Sequence, residues 1–263
     1  MSIVDAIILG IVQGIAEFLP VSSSGHLVIA NHLLADGNAV PDESPTMTVA
    51  LHFGTLLSIA VVYWRDLWEL RREFRTMAMI VIATIPVGVT GLVFKDRIEE
   101  LMTLPLPVGF ALIATAAVLF VSQRLQKETA SISQLSWWSA WFIGLFQAVA
   151  ILPGISRSGS TIAGGLFCGL KRNESTRFSF LIAIPAIGGA TVVKARDLLG
   201  GETAFNSAEV LPLLTGTLVS FFVGLLALRF LIRIVSANRL HWFAAYCLIV
   251  GTGTVIWQLT LHD

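Results

Sequence analysis

Gly10-Ile-Val-Gln13-Gly-Ile-Ala16-Glu17-Phe-Leu-Pro20-Val-Ser22-Ser23-Ser24-Gly25-His26 has a second copy further along the chain. It returns as Gly144-Leu-Phe-Gln147-Ala-Val-Ala150-Ile151-Leu-Pro153-Gly-Ile-Ser156-Arg157-Ser158-Gly159. The two align without gaps at an offset of 134 (144 − 10), and glycine, glutamine, alanine, both serines and the last glycine coincide. Each copy interrupts an apolar segment. Residues 3–19 run into the first break and resume to Leu34; residues 137–152 run into the second and resume to Leu170. Every arm is shorter than the ~20 residues that cross a bilayer as helix. Proline and glycine stop the helix in mid-segment, and the polar residues gather at the stop. Such backbone survives at membrane depth only where protein or a wet cavity covers it. Each region therefore reads as a re-entrant helix–loop–helix.

The remainder of the chain agrees with a lipid environment. Of 263 residues 55% are hydrophobic and only 13% charged, against about 25% charged in soluble domains. Six further uncharged stretches read as transmembrane helices: 46–64, 76–94, 106–123, 178–193, 210–228 and 240–260. The fourth is short and should be extended by its flanks. The expected fold is thus an all-α integral membrane protein, a single membrane domain over 1–263. It has six transmembrane helices and two re-entrant pairs, with internal repeats at 1–125 and 135–260. A re-entrant pair returns to its own side and three spans then cross, so the second repeat starts on the opposite face. This is an inverted-topology repeat.

Charge placement tests that topology, because lysine and arginine concentrate on the cytoplasmic side. Twelve of the 17 lie on the face opposite the N-terminus, among them Arg65, Arg71, Arg75, Arg124, Arg172, Arg177 and Arg239. The N-terminal face holds Lys95, Arg97, Lys194 and Arg196, and collects Asp36, Asp42, Glu43, Asp96, Glu99, Glu202 and Glu209. Both termini are expected outside. Trp64, Trp68, Trp137, Trp138 and Trp242 fall near the basic face as an aromatic belt. Formal net charge is zero, so nothing favours nucleic acid. Cys168 and Cys247 sit in apolar stretches as small hydrophobes. The N-terminal segment has no basic n-region and reads as mature structure rather than as a signal peptide.

Ionisable groups at membrane depth are functional candidates. Here they are Glu17, His26 and Arg157, all at the breaks, where an inverted repeat makes them converge, with His52 in the first full span a weaker fourth. Ser22-Ser23-Ser24-Gly25 and Ser156-Arg157-Ser158-Gly159 each open a helix. Free N–H groups, hydroxyls and the positive dipole end form an anion site there, and Arg157 adds a cation able to hold two phosphate oxygens. Two such ends facing each other suit two adjacent phosphates. The plainer alternative is hydroxyl capping with an internal Glu17–Arg157 ion pair. Gln13 lies one helical turn before Glu17 on the same face, and the two could offer oxygen ligands to a hard divalent cation. His26 could be nucleophile, base or acid, with Ser23 the competing nucleophile. His52, in Leu51-His52-Phe53-Gly54-Thr55, reads as a packing residue near the external interface.

The motifs Gln13-x-x-x-Glu17-Phe-Leu-Pro-Val-Ser-Ser-Ser-Gly-His26 and Pro153-Gly-Ile-Ser-Arg157-Ser-Gly-Ser-Thr161 closely resemble those of the undecaprenyl-diphosphate phosphatase, or bacitracin-resistance, family. The likeness runs along the whole chain. It implies hydrolysis of undecaprenyl diphosphate to undecaprenyl phosphate and inorganic phosphate, which recycles the lipid carrier of cell-wall synthesis. The site would open to the periplasmic side of the bacterial inner membrane and use a divalent cation, Mg2+ or Ca2+. The resemblance puts metal and pyrophosphate on Glu17 and Gln13, catalysis on Ser23 and His26, and phosphate binding on Ser156, Arg157 and Thr161; Glu17 and Arg157 are counted with the catalytic candidates as well. Ser22, Ser24, Gly25, Ser158 and Gly159 complete the expected binding set. Many members carry glutamate where this chain has Gln13, whose amide brings no charge. Expected partners are the polyprenyl diphosphate and membrane lipid, without nucleic acid; a homodimer is compatible. A flippase for the polyprenyl phosphate is the rival reading on the same architecture. The acid-phosphatase-like lipid phosphatases, which share Ser-Gly-His, do not match: no histidine follows Arg157 until His241, and no basic residue precedes Ser24.

Overall fold

The computed structural model describes residues 2–34, 44–94, 97, 100, 101, 104–127, 129–200 and 210–260. Most of the acidic residues expected on the N-terminal face, Asp36, Asp42, Glu43, Asp96, Glu99, Glu202 and Glu209, lie outside these, as does Lys95. The described chain is helical: α1 (Ile3–Ala16), α2 (Ser23–Leu34), α3 (Pro45–Val62), α4 (Trp64–Leu70), α5 (Phe74–Val93), α6 (Pro105–Leu125), α7 (Trp137–Val149), α8 (Arg157–Phe167), α9 (Arg172–Gly200), α10 (Val210–Ser236) and α11 (His241–Thr260). No strand occurs among the described residues, only an isolated bridge between Ala130 and Leu170.

The helix starts follow local chemistry. Ser2 and Asp5 form a capping box on α1, and the Ser2 side chain, then its backbone, holds the Asp5 carboxyl below the ordinary carboxylate range. Ser44, Ser136 and Ser156 accept from the first turns of α3, α7 and α8, as N-cap hydroxyls do. Five helices, α5, α6, α9, α10 and α11, are long and apolar enough to cross a membrane. The first expected span stops at Val62 and bends by 78° into α4, whose Trp64 and Trp68 stay exposed with Arg65 and Arg71 stacked on them. The fourth is longer than its uncharged stretch, running from Arg172, as its flanks implied.

Side-chain placement is inverted relative to a soluble bundle. On α10, Leu211, Leu214, Leu218, Phe222 and Leu226 point outward and are exposed, while Gly216, Ser220 and Gly224 are buried. The outward apolar stripe needs lipid to cover it, and the small inner residues let backbones approach. Gly10 and Gly14 of α1 meet this strip: a Cβ on Gly14 would stand 2.9 Å from the Gly224 nitrogen. Gly54 of α3 meets it from the other side at Ser220. Thus α10 lies between α1 and α3. In the same way α5 packs on α7 and α9, with Gly144 of α7 against Ala83 and Pro86.

The largest apolar cluster crosses the molecule. It joins Phe18, Ile59, Leu119, Ile162, Phe180 and Leu228, from both halves of the sequence. Phe18 follows α1 at the first break and Ile162 lies in the first turns of α8 after the second, so both breaks are tied to this cluster.

One end of the bundle collects the basic residues. Arg177 pairs with Asp66, Arg75 donates to the Ser133 and Leu135 carbonyls, Arg172 to Gln126, and Gln126 to Asn238.

Candidate active site

The breaks between α1 and α2 and between α7 and α8 meet. The Gly154 N–H donates to Ser22 Oγ across them at 3.0 Å. Cβ atoms on Gly25 and Gly159 would stand 2.9 Å from Gly154 and 3.1 Å from Pro20. These two glycines therefore serve the contact between tips. Ser22 takes a left-handed conformation, φ +65°, which costs a non-glycine residue roughly 1–3 kcal/mol. Its Oγ also accepts from the Gly25 N–H at 3.4 Å, so the strained turn is pinned from both loops. Gly154, at φ +95°, makes the matching turn without a side chain.

Between the tips lies a cleft of about 70 Å³ lined by Ala16, Glu17, Ser22, Ser23, Ser24, Ala150, Ile155, Ser156, Arg157 and Ser158. It has room for more than one water, which needs ~10–15 Å³. Helices α2 and α8 both begin in this wall, and the first N–H groups of each have no partner within their helix. Arg157 Nη2 donates to Glu17 Oε1 at 2.5 Å, with side chains only 17% and 11% exposed. The guanidinium lies 5.8 Å from the Phe180 ring centre. Its Nη1 is buried with no partner. A buried donor without an acceptor is unfavourable by about 1–3 kcal/mol, and Arg157 carries that cost beside the cleft it lines.

Seven of the expected site residues share this cleft: Glu17, Ser22, Ser23, Ser24, Ser156, Arg157 and Ser158. The others stand one layer behind. Gln13 donates to Glu17 Oε2 at 3.0 Å. Thr161 is turned to the Arg157 carbonyl at 2.9 Å and the Ser179 hydroxyl at 2.5 Å. His26 is held between the Ser22 carbonyl, 2.7 Å from Nδ1, and the Tyr246 hydroxyl, 2.8 Å from Nε2. A carbonyl only accepts, so Nδ1 carries the hydrogen and a neutral ring accepts from Tyr246.

Three further residues contribute, of which only His52 had a signal in the sequence. Tyr246 sits mid-span on α11. Thr115, on α6, donates to the Gly154 carbonyl at 2.9 Å and accepts from the Ser156 N–H at 3.2 Å. His52 comes to 3.9 Å from Glu17 Oε2, where the sequence reading had it packing near an interface. Only the fold brings these spans to the tips.

As a cation site the donor set is partial. No group of three or more His, Cys, Asp or Glu residues is arranged to hold a metal among the described residues. Both Glu17 oxygens accept hydrogen bonds, from Arg157 and Gln13. A Mg2+ ion held there by one or two protein oxygens, with substrate phosphates and water completing the shell, would have to displace those donors.

A bundle of lipid-facing helices around a buried cleft with two helix N-termini and an arginine defines a polytopic membrane protein with a polar site inside it. The chain belongs to the family described as bacitracin resistance protein BacA, which it matches over residues 6–253. It is 47% identical over 259 residues to an undecaprenyl-diphosphatase of Rhodopirellula baltica, covering 98% of each chain. Proteins of the same name from Alkaliphilus metalliredigens and Methanosphaera stadtmanae are 39% identical over 280 residues and 38% over 285. The alignments cover 98% and 99% of this chain and all of those relatives.

Proposed function

We propose that the chain is an undecaprenyl-diphosphate phosphatase that recycles the lipid carrier of cell-wall synthesis and thereby confers bacitracin resistance. The single observation that carries this is the cleft where two helix starts, five serines and Arg157 come together. Family membership supplies the substrate. The diphosphate lies across the two helix ends, and its prenyl chain leaves the cleft between helices into lipid.

Glu17 and Arg157 cancel formally, so a multiply charged diphosphate would be under-compensated in the cleft. That imbalance supports a divalent cation at Glu17 and Gln13. Once bound, it would neutralise charge on the transferred and leaving oxygens. Arg157 supplies donors fixed in direction before the reaction starts, so no reorganisation is needed as charge develops. Ser23 lines the cleft and is the nucleophile in this reading. Glu17 is the one carboxylate among the cleft-lining side chains and takes the Ser23 proton. Attack on the terminal phosphorus breaks the bridging P–O bond and frees undecaprenyl phosphate; water then releases inorganic phosphate from the serine. His26 is a positioning residue in this reading, bracing the Ser22 carbonyl and with it the left-handed turn.

The topology is part of the proposal: two re-entrant pairs in an inverted repeat, in the bacterial inner membrane, with external termini and a cleft reached from the periplasm. The pairings support it, since α1 on α10 and α7 on α5 are exchanged by the 134-residue offset, and so are α3 on α10 and α9 on α5. The assembly of arginines at one end supports the orientation.

The test is phosphate release from undecaprenyl diphosphate by purified protein in detergent, where no sidedness exists. Release establishes the enzyme over the flippase; none, from folded protein supplied with Mg2+ or Ca2+, overturns it. Trapping with terminally labelled substrate should place the label on Ser23.

A further inference from the structure

The second tip is held from behind by a span of the other half. Gly154 turns against α6, where a Cβ on it would stand 2.6 Å from both Ala111 Cβ and the Val108 carbonyl oxygen. Val108, Ala111 and Thr115 share that face of α6 at spacings of three and four. Thr115 is 2% exposed, and its hydroxyl makes two bonds to the tip. It donates to the Gly154 carbonyl at 2.9 Å and accepts from the Ser156 N–H at 3.2 Å. One oxygen thus fixes the peptides on both sides of Ile155, which lines the cleft.

A threonine inside a helix ordinarily bonds within that helix. Thr48, Thr84, Thr176 and Thr254 each donate to the carbonyl four residues before them, the local bond expected of a helical hydroxyl. Thr115 instead donates to a carbonyl 39 residues away. What it holds is the start of α8. Ser156 is the N-cap there and accepts from the Gly159 N–H at 3.1 Å; Arg157 follows directly and reaches Glu17. The direction in which α8 leaves the turn therefore sets where the guanidinium and the free N–H groups of the first turn stand. The first tip has a weaker counterpart. Pro20, which the 134-residue offset pairs with Gly154, has its carbonyl accept from the Cys247 thiol of α11 at 3.5 Å, and a thiol is a poor donor. The two bracing spans, α6 and α11, pack on each other with Gly109 against Gly251.

We propose that Thr115 is a positioning residue of the reaction, setting the turn that aims Arg157 and the α8 N-terminus into the cleft. The inference rests on the phosphatase reading above. Thr115 does not line the cleft, so it acts through Ser156 and Arg157 and not on the substrate itself.

Phosphate release from undecaprenyl diphosphate in detergent tests it, with kcat and KM taken per folded protein for three variants. Thr115→Ser keeps the hydroxyl and should turn over within three-fold of wild type. Thr115→Cys brings in the thiol of the first tip and should lose several-fold in kcat. Thr115→Val keeps the shape without the hydroxyl and should lose about 10–100-fold in kcat, the scale of a ~1 Å misplacement, with KM within three-fold. Joined to Arg157→Lys, it should add no more than three-fold to that variant's loss, because the two residues act as one unit. Level kcat across the three variants, whatever their melting temperatures, overturns the proposal, and so does a Thr115→Val loss that multiplies in full with that of Arg157→Lys. Should Thr115→Val fail to fold, the order of Thr115→Ser above Thr115→Cys decides. Wild type that releases no phosphate sinks the phosphatase reading itself; release by wild type with level variants sinks only the role of Thr115.

Discussion

Replacing Arg157 with lysine separates charge from geometry at the cleft. The guanidinium uses Nη2 on Glu17 at 2.5 Å and keeps Nη1 buried and free. Lysine has a single nitrogen. It can keep the ion pair or reach a phosphate oxygen, but it cannot present a second rigid donor at the same time. The fold should tolerate the change, because Glu17 retains a counter-charge, and melting should shift by only a few degrees. Turnover should not. Loss of one pre-set donor to transition-state charge is worth about 2.7–4 kcal/mol, or roughly 10²–10³ in kcat. Arg157→Leu is the contrast. It leaves the mostly buried Glu17 carboxylate alone and should destabilise by about 3–5 kcal/mol as well as inactivate. The assay is phosphate release at saturating substrate in detergent, with thermal melting on the same samples. Arg157→Lys turning over within three-fold of wild type would show that the free Nη1 has no part in the reaction.

Three further outcomes follow from the same geometry. Chelation should stop phosphate release and added Mg2+ or Ca2+ restore it, and Glu17→Gln should raise the cation concentration for half-activation by about 10–100-fold; an unchanged titration curve removes Glu17 from the cation site. Tyr246→Phe takes away the hydroxyl at His26 Nε2, a contact worth about 0.5–1.5 kcal/mol net. Turnover should fall about two- to twelve-fold with KM little changed, and full activity would mean that the ring's orientation is immaterial. A methyl at position 54 would overlap Ser220 Oγ and the Thr217 carbonyl oxygen, so Gly54→Ala should destabilise by about 1–3 kcal/mol, read as a lowered melting temperature; melting equal to wild type would contradict the close α3–α10 approach.

Much of this molecule is legible along the chain, because lipid imposes a simple rule. A segment that cannot hydrogen-bond to solvent must be helical, and its length and apolarity then report whether it spans. The helices α5, α6, α9, α10 and α11 were readable on that basis, and so were the breaks at Pro20–Ser22 and Pro153–Ser156, where proline, glycine and serine conflict with helix continuation. The bend after Val62 was not readable, since Tyr63 and Trp64 are compatible with a continuing helix. Glu17, the serines and Arg157 stood out because they are polar where nothing local requires it.

What the order of residues left undecided was which polar groups face the cleft and which stand behind it. Gln13, His26 and Thr161 belong to the quoted motifs, yet the structure turns them to Glu17, Tyr246 and Ser179. Thr115, Tyr246 and His52 come from ordinary-looking spans. Helical periodicity assigns a side chain to a face, but which neighbour that face meets depends on how closely Gly10, Gly14, Gly54 and Gly144 let the helices pack. The primary structure thus determined the membrane class, the two polar breaks and their charged residues, while the tertiary packing alone decided which of those residues touch and where the cleft opens. The physical reason is range: backbone hydrogen bonding and solvation act within a segment, whereas contacts between segments are set by side-chain volume across an interface.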